Sequence, residues 1–223
     1  MKIPAWSYSS LKLFETCARK YQAEKVTKEV PFTQGEAALY GEQLHKAAEE
    51  YIRDGKPIDS RFAFIKPYLD KLNAIPGTKY CELKLGVKKN DGRLEACDFW
   101  DNDCWFRGVA DLVILDGDRA FVLDYKSGKN AKYADTRQLA LMAAALFLKH
   151  PEIQKIKASL LFVVSKEFIK ENFEKEYGLS IFSELNGLLV ARETAYNTGV
   201  WNPRPNGLCS RYCAVTSCPH HGG

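Results

Sequence analysis

Residues 108–128 read GVADLVILDGDRAFVLDYKSG, and this stretch decides the fold class. Two apolar, β-rich runs, Val109–Leu115 and Ala120–Leu123, flank Asp116-Gly117-Asp118. An Asp-Gly between such runs is a hairpin signal, because the tight turn needs a positive φ that glycine takes freely. Charge interrupts the apolar pattern at Asp111, Asp124 and Lys126. Residues 124 and 126 are two apart and share one face of a strand. A hairpin closing at 116–118 sets Asp111 near Asp124 across the ladder. Two carboxylates held that close repel unless a cation joins them, so the pattern points to a divalent metal with Lys126 beside it.

Upstream, Lys79–Val87 alternates as a strand with Glu82 on one face, and Asn90-Asp91-Gly92 is a second hairpin turn. Arg93–Asp103 is polar and reads as a loose strand or loop, and Trp105–Leu115 and Ala120–Lys126 are the next strands. Downstream, a long apolar helix carries Gln138 near its start and ends at His150-Pro151. Lys157–Val164 is a buried strand, Lys166–Glu176 a charged turn or helix, and Leu179–Tyr196 a last long helix.

Three helical patterns precede the strands. Leu11, Phe14, Ala18 and Tyr21 recur at helical spacing behind a Ser7 or Ser9 cap. Gly35–Arg53 has an apolar stripe that includes Leu44, Ala48 and Ile52, with His45 beside it, and 59–74 is helical again. Taken singly, His45 reads as a packed imidazole, Glu82 as a solvated strand residue and Gln138 as an exposed helix former.

At 223 residues the chain fits one large domain, and its net charge of +4 permits an anionic partner without requiring one. No apolar run approaches the ~18 residues of a membrane span, and MKIPAWSYSS lacks the layout of a signal peptide. A cytoplasmic protein is expected, and there seven cysteines are thiols or metal ligands rather than a disulfide framework.

His45, Glu82, Asp111, Asp124, Lys126 and Gln138 all fall on helix or strand positions that can converge. The set suits metal-dependent phosphodiester hydrolysis. Carboxylates with one imidazole accept Mg²⁺ or Mn²⁺. Lys126 orients water or neutralises charge building on phosphorus.

These residues resemble a family. Gly108-x-x-Asp111 followed by Asp124-Tyr125-Lys126-Ser127-Gly128 is similar to the core of the PD-(D/E)xK nuclease superfamily. Gly41-Glu42-x-Leu44-His45 ahead of it and Gln138 behind resemble the RecB-like exonuclease branch. The resemblance spans nearly the whole chain, from YSSLKLFETCARKY to the cysteine tail. It implies an α/β fold: a central mixed β-sheet flanked by helices (a restriction-endonuclease-like core) with a cysteine-rich C-terminal tail. One domain, 1–223, would hold a core at 79–164, an N-terminal helical part at 1–78 and a C-terminal helix and tail at 179–223. By the same resemblance His45, Asp111, Asp124 and the Tyr125 carbonyl are metal ligands, Lys126 is the catalytic lysine, Glu82 an accessory acid, and Gln138 the glutamine of a QxxxY motif. The chain departs from that motif at Met142, where the tyrosine would stand.

Cys209-x3-Cys213-x4-Cys218 in the tail and Cys17 near the start resemble the iron–sulfur subset of this branch, the CRISPR-adaptation and AddB-type nucleases. That implies a [4Fe–4S] cluster on four thiolates. The subset's tail pattern is C-x2-C-x5-C; here the middle cysteine is displaced by one. His220 and His221 follow directly, so zinc is the competing ion. Cys81, Cys97 and Cys104 read as packing residues.

The function implied is a metal-dependent exonuclease on linear single- or double-stranded DNA, in recombination, repair, phage DNA metabolism or CRISPR adaptation. With no G-x-x-x-x-G-K-[ST] present, it would act alone or with separate recombination, replication or CRISPR-adaptation proteins. The alternatives are a non-catalytic DNA-binding or assembly module that keeps the fold, and a metal-cluster protein whose tail binds a partner. Arg19, Lys20, Lys25, Lys129, Lys132 and Arg137 are candidate phosphate contacts, and Tyr8, Trp105 and Tyr133 candidate base-stacking residues.

Overall fold

In a computed structural model that describes residues 2–31, 35–128, 130–132 and 134–222, the described strands form a six-stranded sheet. They are β1 (Thr78–Asn90), β2 (Arg93–Cys97), β3 (Cys104–Asp116), β4 (Arg119–Lys126), β5 (Lys155–Phe162) and β6 (Glu167–Glu174), in spatial order β2-β1-β3-β4-β5-β6. The sheet is mixed: β4 and β5 run parallel, and the other neighbours are antiparallel. A parallel step needs a crossover, and the helix Arg137–Lys149 lies in it. Asp116 faces Arg119 across the β3–β4 hairpin, leaving Gly117 (φ +59°) and Asp118 as its two-residue turn.

The chain divides into two compact units, residues 34–181 and residues 1–33 with 182–223. In the first, α3 (Glu36–Asp54), a 3₁₀ turn (Ser60–Ile65) and α4 (Lys66–Asn73) supply Leu44, Ile52, Phe62 and Leu69 to a core shared with Leu112, Ile114, Leu123, Tyr125 and Leu161 of the sheet. Gly55 ends α3 in the left-handed conformation. The crossover helix α5 (Arg137–Lys149) has every residue from Leu141 to Phe147 buried, as expected of a helix apolar all round.

In the second unit, α1 (Tyr8–Thr16) opens on a Ser7–Ser10 capping box. The helical pattern read through Tyr21 is broken at Cys17, whose backbone is extended (φ −165°, ψ 114°), and resumes as α2 (Ala18–Tyr21) and a π turn (Gln22–Val26). The expected last helix is likewise in two pieces, α6 (Ser180–Glu184) and α7 (Asn186–Thr198). The tail is not self-supporting. Trp201 is buried among Phe14, Tyr21 and Ala195, and Tyr21 stacks on it at 5.8 Å. Arg192 is buried there too, donating to the Tyr21 hydroxyl and to the Pro4 carbonyl.

Residues 166–176, read as a turn or helix, contain strand β6 instead. Its register on β5 runs from Phe162↔Glu167 to Lys155↔Glu174. Ile169, Glu171 and Phe173 are half-covered while Phe168, Lys170 and Asn172 are exposed. The alternation exists, but charge on both faces masks it. Such charge is how edge strands avoid pairing with other chains.

Candidate functional site

The β3–β4 register places residue 111 one step beyond the Leu112↔Leu123 pair, alongside Asp124. The ladder stops there. The Tyr125 backbone amide instead donates to Asp111 Oδ2 at 2.6 Å, which fixes that carboxylate while leaving Oδ1 free to turn outward. Asp111 Oδ1 meets His45 Nδ1 at 3.3 Å. Two features aim the imidazole. Leu44 is completely buried, so it pins the α3 face beside His45. Gly41 lets that helix approach the end of β4, since a Cβ there would lie 3.0 Å from the Ser127 hydroxyl.

Glu82 completes the group. Cys81 pairs with Leu112 and Leu83 with Ala110, so residue 82 falls opposite Asp111, where no pair forms. Glu82 has φ +52°, left-handed backbone inside a strand. A non-glycine residue held there is strained and needs its surroundings to hold it. His45, Glu82 and Asp111 bring one donor atom each within 4.8 Å of one another, the only such trio of His, Cys, Asp or Glu among the described residues. Sequence reasoning gave Glu82 an accessory place; the structure puts it in this trio.

Asp124 and Lys126 form the adjoining part. Lys126 Nζ lies 2.6 Å from Asp124 Oδ2 and donates to Gln138 Oε1 at 2.7 Å, and Gln138 Nε2 donates to Asp124 Oδ1. The amide therefore reads both ends of one ion pair. Asp124 Oδ2 is buried in contact with the lysine charge but receives no aligned hydrogen bond.

Electrostatics matches this crowding. Burial, then the Asp111 charge, pushes the Asp124 carboxyl up to about 6, and the same two causes raise Glu82. Burial pulls the His45 imidazole down, but the Asp111 hydrogen bond and the charges of Asp111, Asp124 and Glu82 outweigh it and leave it raised. The cluster is short of positive charge. Its oxygen and imidazole donors fit a hard divalent cation.

Met142, at the place of the motif tyrosine, is buried under Gly108; a Cβ on that glycine would lie 2.5 Å from Met142 Cε. That position is core here. Of the other sequence-derived contacts, Arg137 is held by Asp135 and Arg19 by Glu29 and Ser217. Lys20 pairs with Glu24, and Lys89 lies 4.0 Å over the Trp105 ring. Lys129 and Tyr133 lie outside the described residues. The sequence reading passed over Lys84 and Arg107, whose cations sit over Phe99 and the exposed Trp100. A tryptophan in a polar loop was the available signal.

Cys17, Cys209, Cys213 and Cys218 line one pocket together with His220 and His221. No three donors of that pocket converge within 4.8 Å. Backbone amides of Arg204 and Asn206 donate to the Cys17 and Cys209 sulfurs, each at 3.4 Å. Four thiols and two imidazoles around one pocket are donors of the kind that an iron–sulfur cluster or a zinc ion takes. Burial first pushes the Cys81 and Cys97 thiols up, to about 11 and about 12. Cys104 is buried and donates to the Phe106 carbonyl.

No curated protein matches the chain. Among solved structures, the "Putative exonuclease" of Eubacterium rectale has 12% identity and a TM-score of 0.53, covering 92% of this chain and 85% of its own. The crystal structure of SSO0001 has 16% identity and a TM-score of 0.50, covering 99% and 88%. At such identities the likeness is one of fold. The family model for the PD-(D/E)XK nuclease superfamily matches residues 5–219. With its mixed sheet, its Asp111 and Asp124 on adjacent strands and its Lys126 two residues on, the chain belongs to the PD-(D/E)XK nuclease superfamily.

Proposed function

We propose that the chain is a Mg²⁺- or Mn²⁺-dependent deoxyribonuclease that degrades DNA from its ends. The observation that carries the reading is the convergence of His45, Glu82 and Asp111 beside the Asp124–Lys126–Gln138 network. His45, Asp111 and Asp124, with the Tyr125 carbonyl, would hold the cation, and Glu82 would add a carboxylate. When bound, a divalent cation polarises the phosphate and acidifies water. The chain's own residues do the rest. The Tyr125 amide holds Asp111 in one rotamer. Asp124 and Gln138 hold Lys126 in place, so that Nζ orients the attacking water or meets charge developing on phosphorus. The preference for ends rests on the likeness to the RecB-like branch and on the name borne by the Eubacterium rectale neighbour.

Cys17, Cys209, Cys213 and Cys218 are proposed to hold a [4Fe–4S] cluster, supported by their shared pocket and by the likeness of their pattern to the iron–sulfur subset of the branch. Anaerobic purification followed by iron, sulfide and zinc analysis tests this. About four irons per chain are expected, and a colourless, zinc-loaded protein rejects it.

The nuclease reading is tested by incubating linear and covalently closed DNA with Mg²⁺ or Mn²⁺, with EDTA as control, using wild type, Asp111→Ala and Lys126→Ala. Linear DNA should disappear with wild type alone. Loss of both DNAs removes the preference for ends. No metal-dependent loss, or mutants equal to wild type, leaves a non-catalytic DNA-binding module.

A further inference from the structure

The net charge of the chain is not shared between its two units. Residues 1–33 with 182–223 carry nine Lys and Arg against five Glu and no Asp, a net of +4, which is the whole net charge of the chain. On this unit a groove of 540 Å³ is lined by Lys20, Glu24, Lys25, Lys28, Tyr212 and a short apolar edge. That size is in the range of sites for nucleotide-sized ligands. Lys20 spends part of its charge on Glu24 at 3.8 Å, but Lys25 and Lys28 form no ion pair among the described residues.

The backbone beneath these lysines is irregular. Lys25 sits in the π turn, a rare geometry frequent at functional sites. Lys28 follows at φ +56°, a left-handed conformation that a lysine holds only under constraint. Tyr212 lines the same groove with 73% of its surface exposed, on a tail turn closed by the hydrogen bond that its backbone N–H donates to the Leu208 carbonyl at 2.9 Å. Exposed cations beside an exposed ring in one groove are the two parts of a single-strand site: charges for successive phosphates and a flat surface for a base.

We infer that this groove binds single-stranded DNA, with Lys25 and Lys28 on phosphates and Tyr212 stacked on an unpaired base. The choice of DNA rests on the nuclease reading. The test reads binding alone, without divalent cation and in the Asp111→Ala background, so it stands or falls separately from hydrolysis. Fluorescence anisotropy is measured with a labelled 20-residue oligothymidine and with a duplex of the same length. Lys25→Ala/Lys28→Ala should weaken strand binding roughly tenfold at ~0.1 M salt and flatten the log K against log salt slope by about 1.4. Tyr212→Ala should cost roughly 5- to 150-fold, with Tyr212→Trp restoring it. Lys149→Ala/Lys155→Ala, an equal charge loss on the other unit, should change neither. Should the double variant fail to fold, Lys28→Gly suits the left-handed backbone and should flatten the slope by about 0.7. Groove variants that bind as the control pair does overturn the site. Tighter binding of duplex with no effect of Tyr212→Ala overturns its single-strand character.

Discussion

The Tyr125 amide and the Asp111 carboxylate are joined by a 2.6 Å hydrogen bond at the point where the β3–β4 ladder ends. One oxygen of Asp111 therefore finishes the backbone pairing, and the other faces His45. Structure and chemistry in this side chain are separable. Asp111→Asn keeps an acceptor for the amide, so its thermal midpoint should stay within about 2 °C of wild type while DNA hydrolysis falls at least ~100-fold. Asp111→Ala should lose activity equally and also about 1–3 kcal/mol of stability, because it orphans a buried amide. Equal midpoints for the two variants would remove the structural half of this account.

Gln138 touches both members of the Asp124–Lys126 pair. Gln138→Leu has no groups to offer either, and should lower kcat by roughly 10- to 100-fold with little change in KM, as expected for a residue that positions the lysine. A change confined to KM would make Gln138 a substrate contact instead.

Met142→Tyr would restore the motif of the RecB-like branch, yet it should destabilise the fold by about 1–3 kcal/mol through overpacking against Gly108. DNA affinity should not rise. A stable variant with tighter DNA binding would show that the residue reaches the substrate.

The raised Asp124 carboxyl makes the metal-free fold sensitive to pH with a definite sign. Its protonated form is favoured by folding, so its contribution to stability is full below pH ~4 and gone once pH passes the folded value, about 6. Asp124→Asn imitates the protonated group. Without divalent cation it should match wild type near pH 4 and be more stable at pH 7.5, by up to about 2–3 kcal/mol or several degrees. Adding Mn²⁺ at pH 7.5 should raise the wild-type midpoint and leave the variant nearly unmoved. Differential scanning fluorimetry across pH checks both; a wild type more stable than Asp124→Asn at pH 7.5 without metal reverses the sign.

Much of the site was legible because the residues that build it also obey simple local rules. Asp116-Gly117-Asp118 sets the turn, and the turn sets the register that brings Asp111 to Asp124. His45 was placed by the apolar stripe next to it, through Leu44. What escaped was structure imposed from outside the segment. Helical spacing runs straight through Cys17, and nothing in it announces an extended residue there. Met142 could be read as a departure, but its cause, the missing side chain of Gly108, lies in another strand. Strand β6 was hidden because an edge strand keeps charges that a central strand would exclude.

Glu82 carries a different lesson, one about which sequences can occupy the position. Its left-handed backbone favours glycine, asparagine and aspartate and penalises β-branched residues. Of the favoured residues only aspartate keeps a carboxylate, on a shorter arm. Substitution at 82 is thus filtered twice, once by handedness and once by charge. A single reversed twist in β1 makes loss of the carboxylate hard to repair from a neighbouring position, because residues 81 and 83 are already committed to pairs with Leu112 and Ala110.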